Sequence, residues 1–100
     1  MTKQQLIEAL AHETGLDLTT AGTAVDSVID IITRTVADGR KVTLTGFGTF
    51  EAVHRAERVG RNPQTGEPVE IPATRVPKFR PGTRFKDAVA KGARLEPVAA

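Results

Sequence analysis

Apolar positions in the first third of the chain recur at helical spacing, and in the middle third they switch to strand spacing. Leu6, Ile7 and Leu10 repeat at three to four residues. Thr2 and Gln5 precede them in the arrangement of a capping box, and Gly15 is a natural stop. Asp17 is placed to cap a second helix at its positive end. Along that helix run Leu18, Ala21, Val25, Val28, Ile29, Ile32 and Val36, with Ile31 widening the stripe until Asp38-Gly39. From Arg40 the period becomes two: Val42 and Leu44 alternate with Thr43 and Thr45. Gly46-Phe47-Gly48 predicts a turn, and Phe50 opens a second strand running through Val53. A third strand is expected between Val69 and Phe79. Pro68 and Pro72 are four apart, so their missing N–H groups fall on one edge of a two-stranded ribbon. Pro77 has the opposite parity, which predicts a bulge or a join near it. Gly82-Thr83 begins a short last helix with Phe85, Ala88 and Val89 on one face, ending near Gly92.

This order of elements is an α+β fold in a single unit over 1–100. The body is expected at 1–52 and 77–92, a β-arm at 53–76, and a patternless, loose tail at 93–100. With the arm set aside, about three quarters of the chain remain to build a core. Domains that small bury only about 60% of their unfolded surface. The wide stripe of helix 18–38 therefore favours a core shared in a dimer over an ordinary intrachain core.

Charge sharpens the picture. The net charge of +2 hides a segregation. Residues 1–52 hold four Lys/Arg against seven Asp/Glu, whereas residues 53–86 hold eight against three. A basic region on an otherwise acidic chain suits an anionic partner, most often nucleic acid. The sequence has no cysteine, which excludes a disulfide framework and a thiolate metal site. Met1-Thr2-Lys3-Gln4-Gln5 lacks a signal-peptide layout, and no apolar run approaches the roughly eighteen residues of a membrane span. The expectation is a cytoplasmic protein without a membrane role.

Candidate chemistry is sparse. Gly46-Phe47-Gly48 supplies two of three dinucleotide-loop glycines, but Glu51 holds the third position and a strand follows. His12 and His54 share no ligand spacing, so no metal site is expected. Ser27, the sole serine, has no base at a helical offset. No catalytic residue and no cofactor are assigned. By contrast, Arg55 to Pro68 carries Arg55, Arg58 and Arg61 and then the turn Asn62-Pro63-Gln64-Thr65-Gly66, with almost no apolar side chain. Such a hairpin is suited to reach out and hold a polyanion. Pro63 by itself reads first as a turn residue that fixes φ. At an exposed tip between arginines it also suits a wedge, being rigid, apolar outward and without a donor to desolvate. A spacing of three does not keep the arginines on one face of a flat strand, so following a groove requires twist or a bulge.

Gly46-Phe47-Gly48-Thr49-Phe50, Arg55, Arg58, Gly60 to Gly66, Val76-Pro77-Lys78-Phe79-Arg80-Pro81-Gly82 and Phe85-Lys86-Asp87-Ala88-Val89 together resemble the HU/integration-host-factor family of bacterial nucleoid proteins. The resemblance runs from Met1 to about Lys91. It implies an intertwined homodimer or heterodimer with a helical base, a small antiparallel sheet and a protruding two-stranded arm per subunit. It implies minor-groove contact with double-stranded DNA, Pro63 as the intercalating residue, and a place on the bacterial chromosome. Glu67 and Thr83 stand where many relatives carry lysine, making the flank less basic.

The DNA-binding residues expected are therefore Arg55, Arg58, Arg61, Asn62, Gln64, Thr65 and Arg75 around Pro63, with Lys3, Lys78, Arg80 and Lys86 on the body. Phe47, Phe50, Phe79, Val28 and Ile32 are assigned to the dimer core. Contacts to phosphates and to a degenerate groove predict weak sequence preference, and an intercalating Pro63 implies bent or nicked DNA as a favoured form. A sequence-selective bender, an RNA-binding role and a dimeric module for an acidic protein remain open readings of the sequence.

Overall fold

The computed structural model describes residues 1–92; the expected tail at 93–100 lies outside them. The elements are α1 (Lys3–Thr14), α2 (Leu18–Ala37), β1 (Val42–Leu44), β2 (Gly48–Arg55), β3 (Arg58–Arg61), β4 (Pro68–Ile71), β5 (Thr74–Pro81) and α3 (Thr83–Lys91). The capping box of α1 is formed: the Gln5 N–H donates to Thr2 Oγ1 at 3.2 Å, and the Thr2 N–H to Gln5 Oε1 at 2.8 Å. Gly15 ends α1 in the left-handed region. Asp17 accepts the Thr20 N–H at 2.6 Å, and that bond holds its carboxyl below the ordinary carboxylate value. A depressed value means that the cap contributes fully at neutral pH and is lost as acidification protonates Asp17.

β1, β2 and β5 form one antiparallel sheet in that order, and β3 pairs with β4 as a separate ribbon. Two strand expectations are corrected. The second strand is longer than Phe50–Val53, because Gly48 already pairs with Leu44 and Arg55 still pairs with Thr74. The third strand is two strands, interrupted at Pro72-Ala73. Of the bulge or join expected near Pro77, the join is what is found: the chain re-enters the body sheet at Thr74, and Pro77 sits opposite Ala52 in regular register. The interruption resets the strand parity. Directly opposed residues exchange either both hydrogen bonds or none, so Pro77 and Pro81 occupy unbonded pairs on the sheet edge, where a missing N–H costs nothing.

Opposed strand residues share a face, and successive ones alternate. Phe50, Ala52 and His54 of β2 therefore lie on one face with Phe79, Pro77 and Arg75 of β5. This inner face meets the C-terminal half of α2 across a groove of about 550 Å³, lined by Ile32, Val36, Phe50 and Phe79 among others. Phe47, Phe50, Phe79 and Phe85 cluster at its end, with Phe79 4.7 Å from Phe50 and 5.4 Å from Phe47 between ring centroids. Yet among the described residues the only buried hydrophobic side chains are Ile7, Ala21 and Val25, where α1 crosses α2. Val28, Ile29 and Ile31 stay about half exposed, at 53%, 47% and 52%, and Phe47 is 44% exposed. An apolar surface of this extent is far more than three buried residues can balance.

Gly48 is buried because Phe79 lies against it. A Cβ there would overlap the Phe79 ring. Gly48→Ala is expected to displace that ring and cost about 1–3 kcal/mol, as overpacked cores do. An unchanged thermal midpoint would contradict this packing.

Candidate nucleic-acid interface

The outer face of the sheet is built from the alternate residues. Arg80 stands beside Thr49, Lys78 beside Glu51, and Thr74 beside Arg55. All three cations are exposed, while Val53 and Val76 form a half-buried apolar pair between them. Arg80 is ion-paired with Glu51, whose side chain is only 17% exposed. One outer cation is thus held in place and partly neutralised, and Lys78 and Arg55 carry the remaining positive charge of that face.

Beyond Arg55 the backbone leaves the sheet at Ala56-Glu57 and returns at Pro72-Ala73. Between these breaks β3 and β4 form the arm, which draws the molecule out to 56 Å along its long axis. Its radius of gyration is 18.8 Å, against about 13 Å for a compact chain of this length. Register places Arg58 opposite Ile71 and Gly60 opposite Val69 on one face, with Val59 opposite Glu70 and Arg61 opposite Pro68 on the other. Arg58 and Arg61 thus flank the ribbon on both faces, as their spacing requires. The break at 56–57 separates Arg55 from both.

The tip is held by its own hydrogen bonds. The Asn62 N–H donates to the Glu67 carbonyl at 2.8 Å, and the Gly66 N–H to the Asn62 carbonyl at 2.7 Å. Asn62 Oδ1 accepts the Gln64 N–H at 2.9 Å, an Asx turn. Thr65 Oγ1 accepts the Glu67 N–H, and the Arg61 guanidinium donates to the Gly66 carbonyl at 3.0 Å. Gly66 supplies the positive φ of 75° that closes the turn. Asn62 and Thr65 therefore act first as turn residues, while Pro63 and Gln64 are exposed at the end of a preorganised loop.

The remaining expected site residues lie elsewhere. Lys3 bridges α1 to α2 through Asp26 at 3.0 Å, both side chains 59% exposed, and Lys86 is exposed on α3. Arg75 does not join the outer cations. It lies on the inner face and donates to the Ala37 carbonyl at 2.7 Å. Three candidates escaped the sequence reading. Arg84 lies over the turn at Gly46, its Cδ 3.1 Å from where a Cβ would sit; its place in the basic run was the available signal. Val59 and Val69 are 70% and 43% exposed on the ribbon. Alternation alone could not tell which way a detached ribbon shows its apolar residues. Among the described residues, no group of three or more His, Cys, Asp or Glu is placed to hold a metal ion, and no helix is long and apolar enough to cross a membrane.

Comparison with known proteins bears on this arrangement. Residues 1–90 match the family model described as bacterial DNA-binding protein. The chain is 55% identical over 89 residues to the DNA-binding protein HU of Geobacillus stearothermophilus, covering 89% of this chain and 99% of that one. It is 48% identical over 93 residues to DNA-binding protein HU of Xylella fastidiosa, covering 93% and 99%. Among solved structures, the Anabaena HU–DNA cocrystal structure superposes with a TM-score of 0.85 at 43% identity, covering 90% of this chain and 98% of that one.

Proposed function

Because this chain belongs to the family of bacterial DNA-binding proteins that includes HU, we propose that it is an architectural protein that binds and bends double-stranded DNA largely without regard to sequence, and so organises the bacterial chromosome. The observation that carries this reading is the arm: a preorganised turn that presents Pro63, with Arg58 and Arg61 on its two faces. Pro63 is the wedge at a base step. Arg55, Arg58, Arg61 and Gln64 track the groove and its phosphates, with Asn62 and Thr65 shaping the tip. Lys78 and Arg80 on the outer face, and Lys3 and Lys86 on the helices, support the flanking DNA. The protein works in the cytoplasm, on the nucleoid, and the reading assigns it no catalysis.

The functional unit is a dimer. A second copy is the fitting cover for the groove between α2 and the inner sheet face, since Ile32, Phe50 and Phe79 line it without being fully buried and Val28 and Phe47 stay about half exposed. Burial of apolar surface is the dominant favourable term in association. The dimer would carry two arms, so each DNA contact is doubled. Opening a base step costs a few kcal/mol of unstacking, a figure general to minor-groove architectural proteins, of which HU proteins are themselves instances. A nicked or bent site costs less, so the protein favours such sites. Glu67 and Thr83 add no positive charge beside the arm and at the start of α3, which limits how far the flanks are held.

Gel-shift competition at two salt concentrations tests this reading. Nicked duplex should compete at least as well as intact duplex, RNA less well, and an acidic protein hardly at all. If the acidic protein or RNA displaces duplex most effectively, the architectural reading fails.

A further inference from the structure

We infer that Arg75 is a positioning residue that straps the root of the arm to the C-terminus of α2, and is not a DNA contact. This rests on the DNA-bending reading above. Three observations carry it. Arg75 is the second residue of β5, one residue after the break at Pro72-Ala73 ends, and stands opposite His54. It is therefore among the first paired positions through which the arm is attached to the body. Its side chain lies on the inner face, opposite to that of Lys78 and Arg80. Its guanidinium donates at 2.7 Å to the carbonyl of Ala37, the last residue of α2.

The chemistry of that contact is specific. The last four carbonyls of a helix have no partner within it, and they form the negative end of its dipole. A guanidinium placed there satisfies one orphan acceptor and neutralises the partial charge at once. Asp38, the nearest carboxylate in sequence, is engaged by Arg40 at 3.4 Å. Among the described residues, the Arg75–Ala37 bond is the side-chain hydrogen bond that joins α2 to the sheet. Because α2 also forms one wall of the apolar groove, the strap references the direction of the arm to the part of the molecule proposed to seat the second copy. A wedge at the tip bends DNA only if its root does not yield. Arg75 thus supports bending rather than charge neutralisation.

Amide exchange of the free protein, combined with salt-dependent binding and energy-transfer measurement of bending, tests the strap. Arg75→Ala should speed exchange at Thr74–Val76 and in the last turn of α2 on the order of tenfold, as removal of a charged hydrogen bond would. It should also lower the bend while leaving the log–log salt slope unchanged. Lys78→Ala, on the outer face, should do the reverse: a slope shallower by about 0.9 per phosphate no longer neutralised, or about twice that in a dimer, with exchange at Thr74–Val76 as in the parent. Should Arg75→Ala fail to fold, Arg75→Lys replaces it, with smaller losses of protection and bend expected and again no change of slope. A shallower slope with unchanged exchange in either Arg75 variant would make Arg75 a phosphate contact and overturn the strap. Unchanged exchange with an unchanged bend would overturn it equally. If the parent protein does not bind duplex, the functional reading fails, and the exchange data still decide the strap.

Discussion

Replacing Phe79 by alanine is expected to convert the protein from a folded dimer to largely unfolded chains at low micromolar concentration. The ring contacts Phe50 and Phe47 at centroid distances of 4.7 and 5.4 Å and Phe85 at 6.0 Å, and it lies over Gly48. Removing it costs about 3–5 kcal/mol for each chain, by the usual scale for large-to-small core changes. Whole domains of this size are stable by only about 5–15 kcal/mol, and a symmetric dimer takes the loss twice. Little within the chain can compensate, because Ile7, Ala21 and Val25 are its only buried hydrophobic side chains among the described residues. Sedimentation and urea denaturation read the outcome. If the parent protein sediments as a folded monomer near its chain mass of 10.7 kDa, the shared core is wrong. If Phe79→Ala stays a folded dimer with an unchanged midpoint, the aromatic cluster is not what holds it.

The second large effect divides the arm into wedge and anchor. Pro63→Ala keeps every charge and removes the ring from the exposed tip, whose shape is fixed largely by the hydrogen bonds of Asn62, Gln64, Gly66 and Glu67. Bending, and the preference for nicked DNA, should fall sharply while the salt slope stays as it was. Unstacking depends on the base step, whereas counterion release does not. Arg61→Ala should weaken binding to all duplexes and make the slope shallower by about one unit for each phosphate that the arginine no longer neutralises, or about two in a dimer. It also removes the bond to the Gly66 carbonyl, so some reduction of bending accompanies it. A bend-sensitive fluorescence assay on both variants separates the roles. Should Pro63→Ala bend DNA as well as the parent, Pro63 only shapes the turn.

The helices were legible in the sequence because their signals are local. Thr2 with Gln5, Gly15 and Asp17 each act within one turn of themselves, and the boundaries of α1 and α2 follow from them. The turn at Asn62–Gly66 was legible for the same reason. The arm's internal plan was not. Pro77 has an anomalous parity only when it is counted from Pro68 and Pro72 as though one strand held all three. The interruption at Pro72-Ala73 leaves Pro72 in no strand and puts Pro68 in β4 and Pro77 in β5, with independent registers. The face of Arg75 was hidden by the same break. A basic residue between an arm and a sheet reads as a contact for a polyanion, and only the pairing with His54 assigns its face. Its partner, the Ala37 carbonyl, is a backbone atom 38 residues away that no side-chain pattern announces. The pairing of Arg80 with Glu51 likewise needs the register of β2 against β5.

Binding of a random-sequence duplex across a salt series decides whether the protein holds DNA through its phosphates and without regard to sequence. If a dimer with two arms and two outer faces neutralises about six to ten phosphates, log affinity should fall with log salt at a slope of about −5 to −9, and unrelated sequences should give nearly the same line. A slope near zero, or tight binding confined to one sequence, would contradict the account.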